Sequence, residues 1–192
     1  MMTNNVNNLD DLQISLIDLP RQPGASRLYE FLVDVPSDLG VYDVKVANDV
    51  LNLKVRLTCV TQGVLVDLST DVEINSACYR CLDDVTENMD ICAQELFYYP
   101  DMRQKLLDCG DEDLQQVFEV ENDCVDLTTL VRDSIVLELP MRMLCDESCL
   151  GLCPHCAKKF VDLEPNHSHE FIDDRWKKLE GFAIKLRENK ND

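Results

Sequence analysis

Basic side chains, glycine and tryptophan are all scarce in this 192-residue chain: 18 Lys plus Arg stand against 37 Asp plus Glu, beside six glycines and one tryptophan. The resulting formal net charge of −19 excludes the basic face with which a protein displaces counterions from phosphates, and with it nonspecific nucleic-acid binding. So few glycines leave no phosphate loop; Gly151-Leu152-Cys153-Pro154 is too short and lacks the lysine. No stretch approaches the ~20 consecutive apolar residues of a membrane helix. Residues 1 to 9 are polar and Asn-rich, without the apolar run of a secretory segment, so a cytoplasmic protein is expected. No repeat occurs at solenoid periods. Nor is there a nucleophile beside a paired base or a His-Glu-x-x-His helix, which leaves no catalytic residue to name and predicts a protein that is not an enzyme.

Cysteine is abundant, with ten residues. In a reducing compartment, cysteine pairs serve metals more often than disulfides. Cys145, Cys149, Cys153 and Cys156 fall within twelve residues, and after ten intervening residues come His167 and His169, two of the three histidines. The Cys153-Pro-His-Cys156 piece is the sharpest: two thiolates at that spacing reach one tetrahedral ion at about 2.3 Å from each sulfur. A second Cys-x-x-Cys, Cys78 and Cys81, follows a long alternating segment and precedes another, which puts it at the tip of a hairpin. No helix start follows it to activate a redox dithiol. Eight ligand-type side chains suit two tetrahedral zinc ions. Cys153, Cys156, His167 and His169 form the local set, leaving Cys78 and Cys81 to meet Cys145 and Cys149; the alternative joins both Cys-x-x-Cys pairs on one ion. Cys59 reads as a core residue, and Cys92, Cys109 and Cys124 receive no role.

Residues 1 to 26, with Pro20, Pro23 and Gly24, have little periodicity and read as a flexible N-terminal arm. Residues 27 to 140 form a β-rich core. Strand-like alternation runs through Tyr29 to Val35, Tyr42 to Val46, Leu51 to Cys59, Val64 to Ile74 and Val85 to Phe97. Asp126 is placed to accept from the first amides of a helix that Leu139-Pro140 ends. Residues 141 to 192 carry the zinc-binding segment and a terminal helix striped by Trp176, Leu179, Phe182, Ala183 and Leu186. The class expected is α+β: an antiparallel sheet or partly open barrel, a helix, a C-terminal zinc-knuckle segment and a terminal helix. Between Asp108 and Asp126 there are eight carboxylates and no Lys or Arg. Asp111, Glu112, Asp113, Glu119 and Glu121 are therefore the candidate surface for a basic partner. Residues 158 to 192 balance eight basic against eight acidic side chains, a tail better suited to approach RNA.

The order Cys78-x-Arg80-Cys81-Leu82, Arg132-Asp133, Leu137-x-Leu139-Pro140, Cys145-x3-Cys149-x-Gly151-Leu152-Cys153-Pro154-x-Cys156 and Asp173-x-Arg175-Trp176-x-x-Leu179 resembles the YceD family of large ribosomal RNA subunit accumulation proteins. The resemblance is best from about Gly63 onward. It differs at Ala157, where the family knuckle has glycine; at His167-x-His169, where many members have Cys-x-Cys; and at Asp174, which replaces a proline. The histidines keep ligand chemistry. Ala157 is expected to need a positive φ that glycine adopts more readily. The resemblance implies a non-catalytic factor for large-subunit ribosomal RNA accumulation and ribosome biogenesis. Its partner would be a large-subunit component, with a basic ribosomal protein the natural one for so acidic a chain. The competing reading is a metal-dependent or thiol enzyme of RNA processing.

Overall fold

The computed structural model describes residues 3–5, 8–108, 117–169, 175 and 179. The chain divides into two compact units, Met1–Cys149 and Leu150–Asp192. The division falls nine residues after the expected boundary at Pro140, so Cys145 and Cys149 belong to the first unit.

The first unit is built on a mostly antiparallel seven-stranded sheet. Strands β1 (Thr3–Asn5), β3 (Ser26–Asp34), β6 (Val50–Cys59) and β7 (Gly63–Ala77) lie in that order, β1 pairing with β3 in parallel. Strand β8 (Asp84–Tyr98) covers one edge of β7 over its whole length. The other edge is shared by β6, paired over Val64–Ser69, and β5 (Val44–Val46), which meets Ile74 and Asn75 and carries the short β4 (Gly40–Val41) outside it. The alternation explains the pairing: Tyr29, Phe31 and Val33, then Leu51, Leu53, Val55, Leu57 and Cys59, then Val64, Val66, Leu68, Val72 and Ile74 all turn one face into a single core. Gly63 is required at the start of β7, because a Cβ there would overlap the Phe97 carbonyl of β8.

Helix α1 (Pro100–Asp108) follows β8, a helix the sequence pattern did not announce. Helix α2 (Thr128–Glu138) buries Leu130, Val131 and Ile135. The cap position is Leu127, which makes no side-chain cap bond, and not Asp126; one residue earlier, Asp126 Oδ1 still accepts from the Thr128 amide at 2.9 Å, and the extended Leu139 ends the helix ahead of Pro140.

The reading of residues 1–26 as a flexible arm is corrected. Leu9, Leu12, Ile14 and Leu19 are buried in the core, and β2 (Gln13–Ser15) pairs with β9 (Cys124–Asp126). Short 3-10 turns at Leu9–Asp11 and Leu16–Asp18 break any regular period, which is why alternation did not reveal the segment. Arg132 of α2 fastens it by donating to Asp10 at 3.1 Å, and also donates to Asp38, in the turn after β3, at 2.9 Å.

The second unit contains an isolated bridge between Leu152 and Lys159 and a 3-10 turn at Phe160–Asp162. Among its described residues no apolar side chain joins a buried cluster, and Cys153 carries the one buried side chain. The helix expected beyond Asp173 lies outside the described residues, apart from Arg175 and Leu179.

Candidate metal centres

Two knuckles of the same build carry the first two ligands of each centre. In the hairpin between β7 and β8, the Leu82 amide donates to Cys78 O at 2.9 Å and the Cys78 amide to Asp83 O at 2.7 Å. In the second unit, the Ala157 amide donates to Cys153 O at 2.8 Å and the Cys153 amide to Lys158 O, also at 2.8 Å. Both turns place the residue after the second cysteine in the left-handed region, Leu82 at φ 63° and Ala157 at φ 54°. Such a φ is costly for a residue with a Cβ. The positive φ expected at Ala157 is thus present, and its counterpart at Leu82 was not foreseen.

The first centre gathers Cys78, Cys81, Cys145 and Cys149, entirely within the first unit. Cys81 Sγ lies 3.4 Å from Cys145 Sγ, and Cys78 Sγ lies 4.0 Å from Cys149 Sγ. All four are free thiols, with Cys78 and Cys81 buried. Arg80, between the two knuckle cysteines, holds the 145–149 loop in place by donating to the carbonyls of Glu147 and Cys149 at 2.9 Å each. The Tyr79 amide donates to Met143 O at 2.9 Å. These fastenings were not assigned from the sequence; the signal present was the lone cation inside the Cys-x-x-Cys.

The second centre gathers Cys153, Cys156, His167 and His169, all within the second unit. Cys156 Sγ is 3.6 Å from His167 Nε2. The rings of His167 and His169 meet edge to face at 4.5 Å, and His155 lies 5.1 Å from His169. A cavity of about 400 Å³ beside it is lined by Cys156, Lys158, Asp162, Glu164 and the two ligand-type histidines.

In each group the four donor atoms lie within 4.8 Å of one another, so each could hold a metal ion. The thiol chemistry fits a cation. The Cys145 amide, helped by those of Cys81 and Arg80, holds Cys78 down at about 6 against the opposing effect of burial. At Cys81 the Asp83 amide lowers the pKa, but burial and the Cys145, Cys78 and Cys149 thiols outweigh it and push the group up to about 12. Four thiols this close cannot all ionise unless a positive charge sits among them. Cys153 is likewise held at about 6, first by the Cys156 amide and then, against burial, by the His155 amide and the His167 ring.

Of the residues expected to meet a basic partner, Asp111, Glu112 and Asp113 lie outside the described residues. Glu119 is half-buried and accepts from Arg103 at 3.1 Å, and the exposed Glu121 pairs through its backbone with Cys124. Among the described residues no helix is long and apolar enough to cross a membrane.

Comparison with known proteins adds the family. An uncharacterized protein of Mycobacterium tuberculosis is 33% identical over 169 residues, covering 88% of this chain and 79% of that one. An uncharacterized protein of Mycobacterium leprae is 32% identical over 162 residues, or 84% and 72% of the two chains. The uncharacterized protein YlbN of Bacillus subtilis is 29% identical over 131 residues, or 68% and 72%. No solved structure matches. A family model described as "Large ribosomal RNA subunit accumulation protein YceD" matches residues 66–183, a span that takes in both cysteine knuckles and both groups of candidate ligands, and the chain belongs to that family.

Proposed function

We propose that the chain is a non-catalytic zinc protein of the cytoplasm that supports large-subunit ribosomal RNA accumulation through a basic ribosomal protein. Zinc would be held at two closed sites, by Cys78, Cys81, Cys145 and Cys149 and by Cys153, Cys156, His167 and His169. One observation supports this reading: the four donor atoms of each group lie within 4.8 Å of one another, and the Cys81–Cys145, Cys78–Cys149 and Cys156–His167 contacts are close to the edges of a zinc tetrahedron. With Zn–S of about 2.3 Å and Zn–N of about 2.05 Å, its edges are about 3.8 Å between sulfurs and about 3.6 Å between sulfur and nitrogen. The distances in the two groups are 3.4 and 4.0 Å for sulfur pairs and 3.6 Å for sulfur to nitrogen. Four protein ligands per ion leave no coordination position for a substrate, which is the mark of a structural site.

The family description supports the ribosomal RNA role, and the charge of −19 favours a basic protein over RNA as the direct ligand. The acidic stretch from Asp108 to Asp126, with Asp111, Glu112, Asp113, Glu119 and Glu121, would attract such a protein at long range. That attraction should weaken as salt shortens the Debye length below about 8 Å.

The test is genetic and biochemical together. Cells lacking the protein should lose large-subunit ribosomal RNA and regain it with the wild-type chain but not with Cys81→Ser or Cys156→Ser. Full rescue by both variants would refute the reading. The cavity beside His169 favours a second reading, an open metal site with chemistry of its own. It predicts that azide changes the visible spectrum of the cobalt-substituted protein, whereas closed sites predict no change.

A further inference from the structure

The apolar residues around the first centre face away from the core. Tyr79 and Leu82, on the knuckle between and just after its cysteines, are 61% and 65% exposed. Met141, two residues ahead of the buried Met143, is 79% exposed, and Leu137 in the last turn of α2 is 82% exposed. Knuckle and strap lie side by side: the Tyr79 amide bonds Met143 O at 2.9 Å, and the Arg142 guanidinium sits 4.4 Å above the Tyr79 ring. Scattered surface hydrophobes need no explanation, but apolar side chains grouped on one rigid feature mark a binding surface.

The charges around this group choose between partners. Asp84, two residues after Leu82, Glu138, next to Leu137, and Asp146 and Glu147, between Cys145 and Cys149, are all exposed. The two cations present are engaged, Arg80 with the Glu147 and Cys149 carbonyls and Arg142 with the Tyr79 ring. Four carboxylates against two committed guanidiniums repel phosphates, so this end of the unit suits neither RNA nor an anionic membrane. They attract lysine and arginine, while Tyr79, Leu82, Leu137 and Met141 offer contact to apolar side chains.

We infer that the metal-knuckle end of the first unit is a docking surface for a basic amphipathic protein segment, whose apolar side chains sit on Tyr79, Leu82, Leu137 and Met141 and whose cations meet Asp84, Glu138, Asp146 and Glu147. The inference rests on the proposed function and adds where the basic partner is gripped. It also gives the metal a purpose. Tyr79, Arg80 and Leu82 are presented by the turn that Cys78 and Cys81 close, and Met141 and Arg142 by the strand of chain that Cys145 anchors, so an ion joining the four cysteines holds the two halves of the surface together.

The test uses the full chain and a fluorescein-labelled 18-residue peptide of leucine and lysine at helical spacing, followed by anisotropy, with native mass spectrometry of the same samples to count metal. The double variant Leu137→Ser, Met141→Ser, which leaves both knuckles untouched, should bind at least tenfold more weakly at an unchanged metal count, and hydrogen exchange should confirm that its sheet is intact. Replacing the peptide's lysines with glutamate should abolish binding. A dissociation constant unchanged in the double variant would overturn the inference, as would equal binding of the glutamate peptide. Two further results would assign the surface elsewhere and so also overturn it: concentration-dependent dimers that the double variant abolishes, or cross-links from position 141 to residues 170–192 of the same chain. A chain that proves metal-free yet loses the peptide on double substitution would refute the zinc reading and leave the surface standing.

Discussion

Ala157 sits in a conformation that glycine adopts at less cost, and Ala157→Gly should therefore tighten the second centre. With φ at 54°, the alanine Cβ crowds the following carbonyl, at a cost of roughly 1–2 kcal/mol. Glycine removes that crowding but brings extra freedom to the unfolded chain, worth roughly 0.5–1 kcal/mol against folding. Taking the midpoint of each, the balance is about 0.75 kcal/mol in favour of the variant. Among its described residues the second unit has no apolar cluster, so folding and metal binding there are one event and the gain should appear as metal affinity. At about 1.4 kcal/mol per tenfold, this is a two- to fivefold tighter ion. Competition against a chromophoric zinc chelator reads it directly, as one of two ions resisting release at higher chelator concentration. Leu82→Gly, at φ 63°, is the companion and should act on the first centre alone. An Ala157→Gly variant that released zinc as readily as the wild type, or more readily, would refute the reasoning that ties the turn's strain to the site.

Other consequences follow from the same contacts. Cys153→Ser or Cys156→Ser removes a proposed ligand from a unit with no apolar cluster among its described residues; structural zinc is worth ~10–16 kcal/mol in small fingers, so hydrogen-exchange protection after Leu150 should vanish while β3, β6, β7 and β8 stay protected. Thr70 is buried on β7 with its hydroxyl unpaired, so Thr70→Val should raise the urea midpoint, by about 1 kcal/mol of stability. Asp126→Ala removes the acceptor from the Thr128 amide and should lower stability by about 1 kcal/mol, read from the same unfolding curve.

Where each residue's environment was set by its immediate neighbours, the sequence was legible. Strict alternation made β6 and β7 readable residue by residue, down to Cys59 as a core thiol rather than a ligand. The hairpin tip at Cys78–Cys81 followed from two such strands meeting, and the two groups of four donors followed from counting tetrahedral ligands. What stayed hidden depends on distant partners. Leu12 and Ile14 are tied to Leu127 and to Val125 of β9, more than a hundred positions away, and Leu9, Leu12, Ile14 and Leu19 enter the core at spacings that match neither helix nor strand. Arg80 and Arg132, read only as motif residues, tie distant segments together, through two carbonyls and through Asp10 and Asp38. Helix α1 carries so little apolar periodicity that its existence rests on its context after β8.

The account stands on two metal ions held by eight side chains. Native mass spectrometry of the chain, before and after incubation with a strong chelator, measures this directly: two zinc ions per chain before, none after, and loss of folded structure beyond Leu150 accompanying their removal. A chain that is metal-free as isolated and protected throughout both units would contradict it.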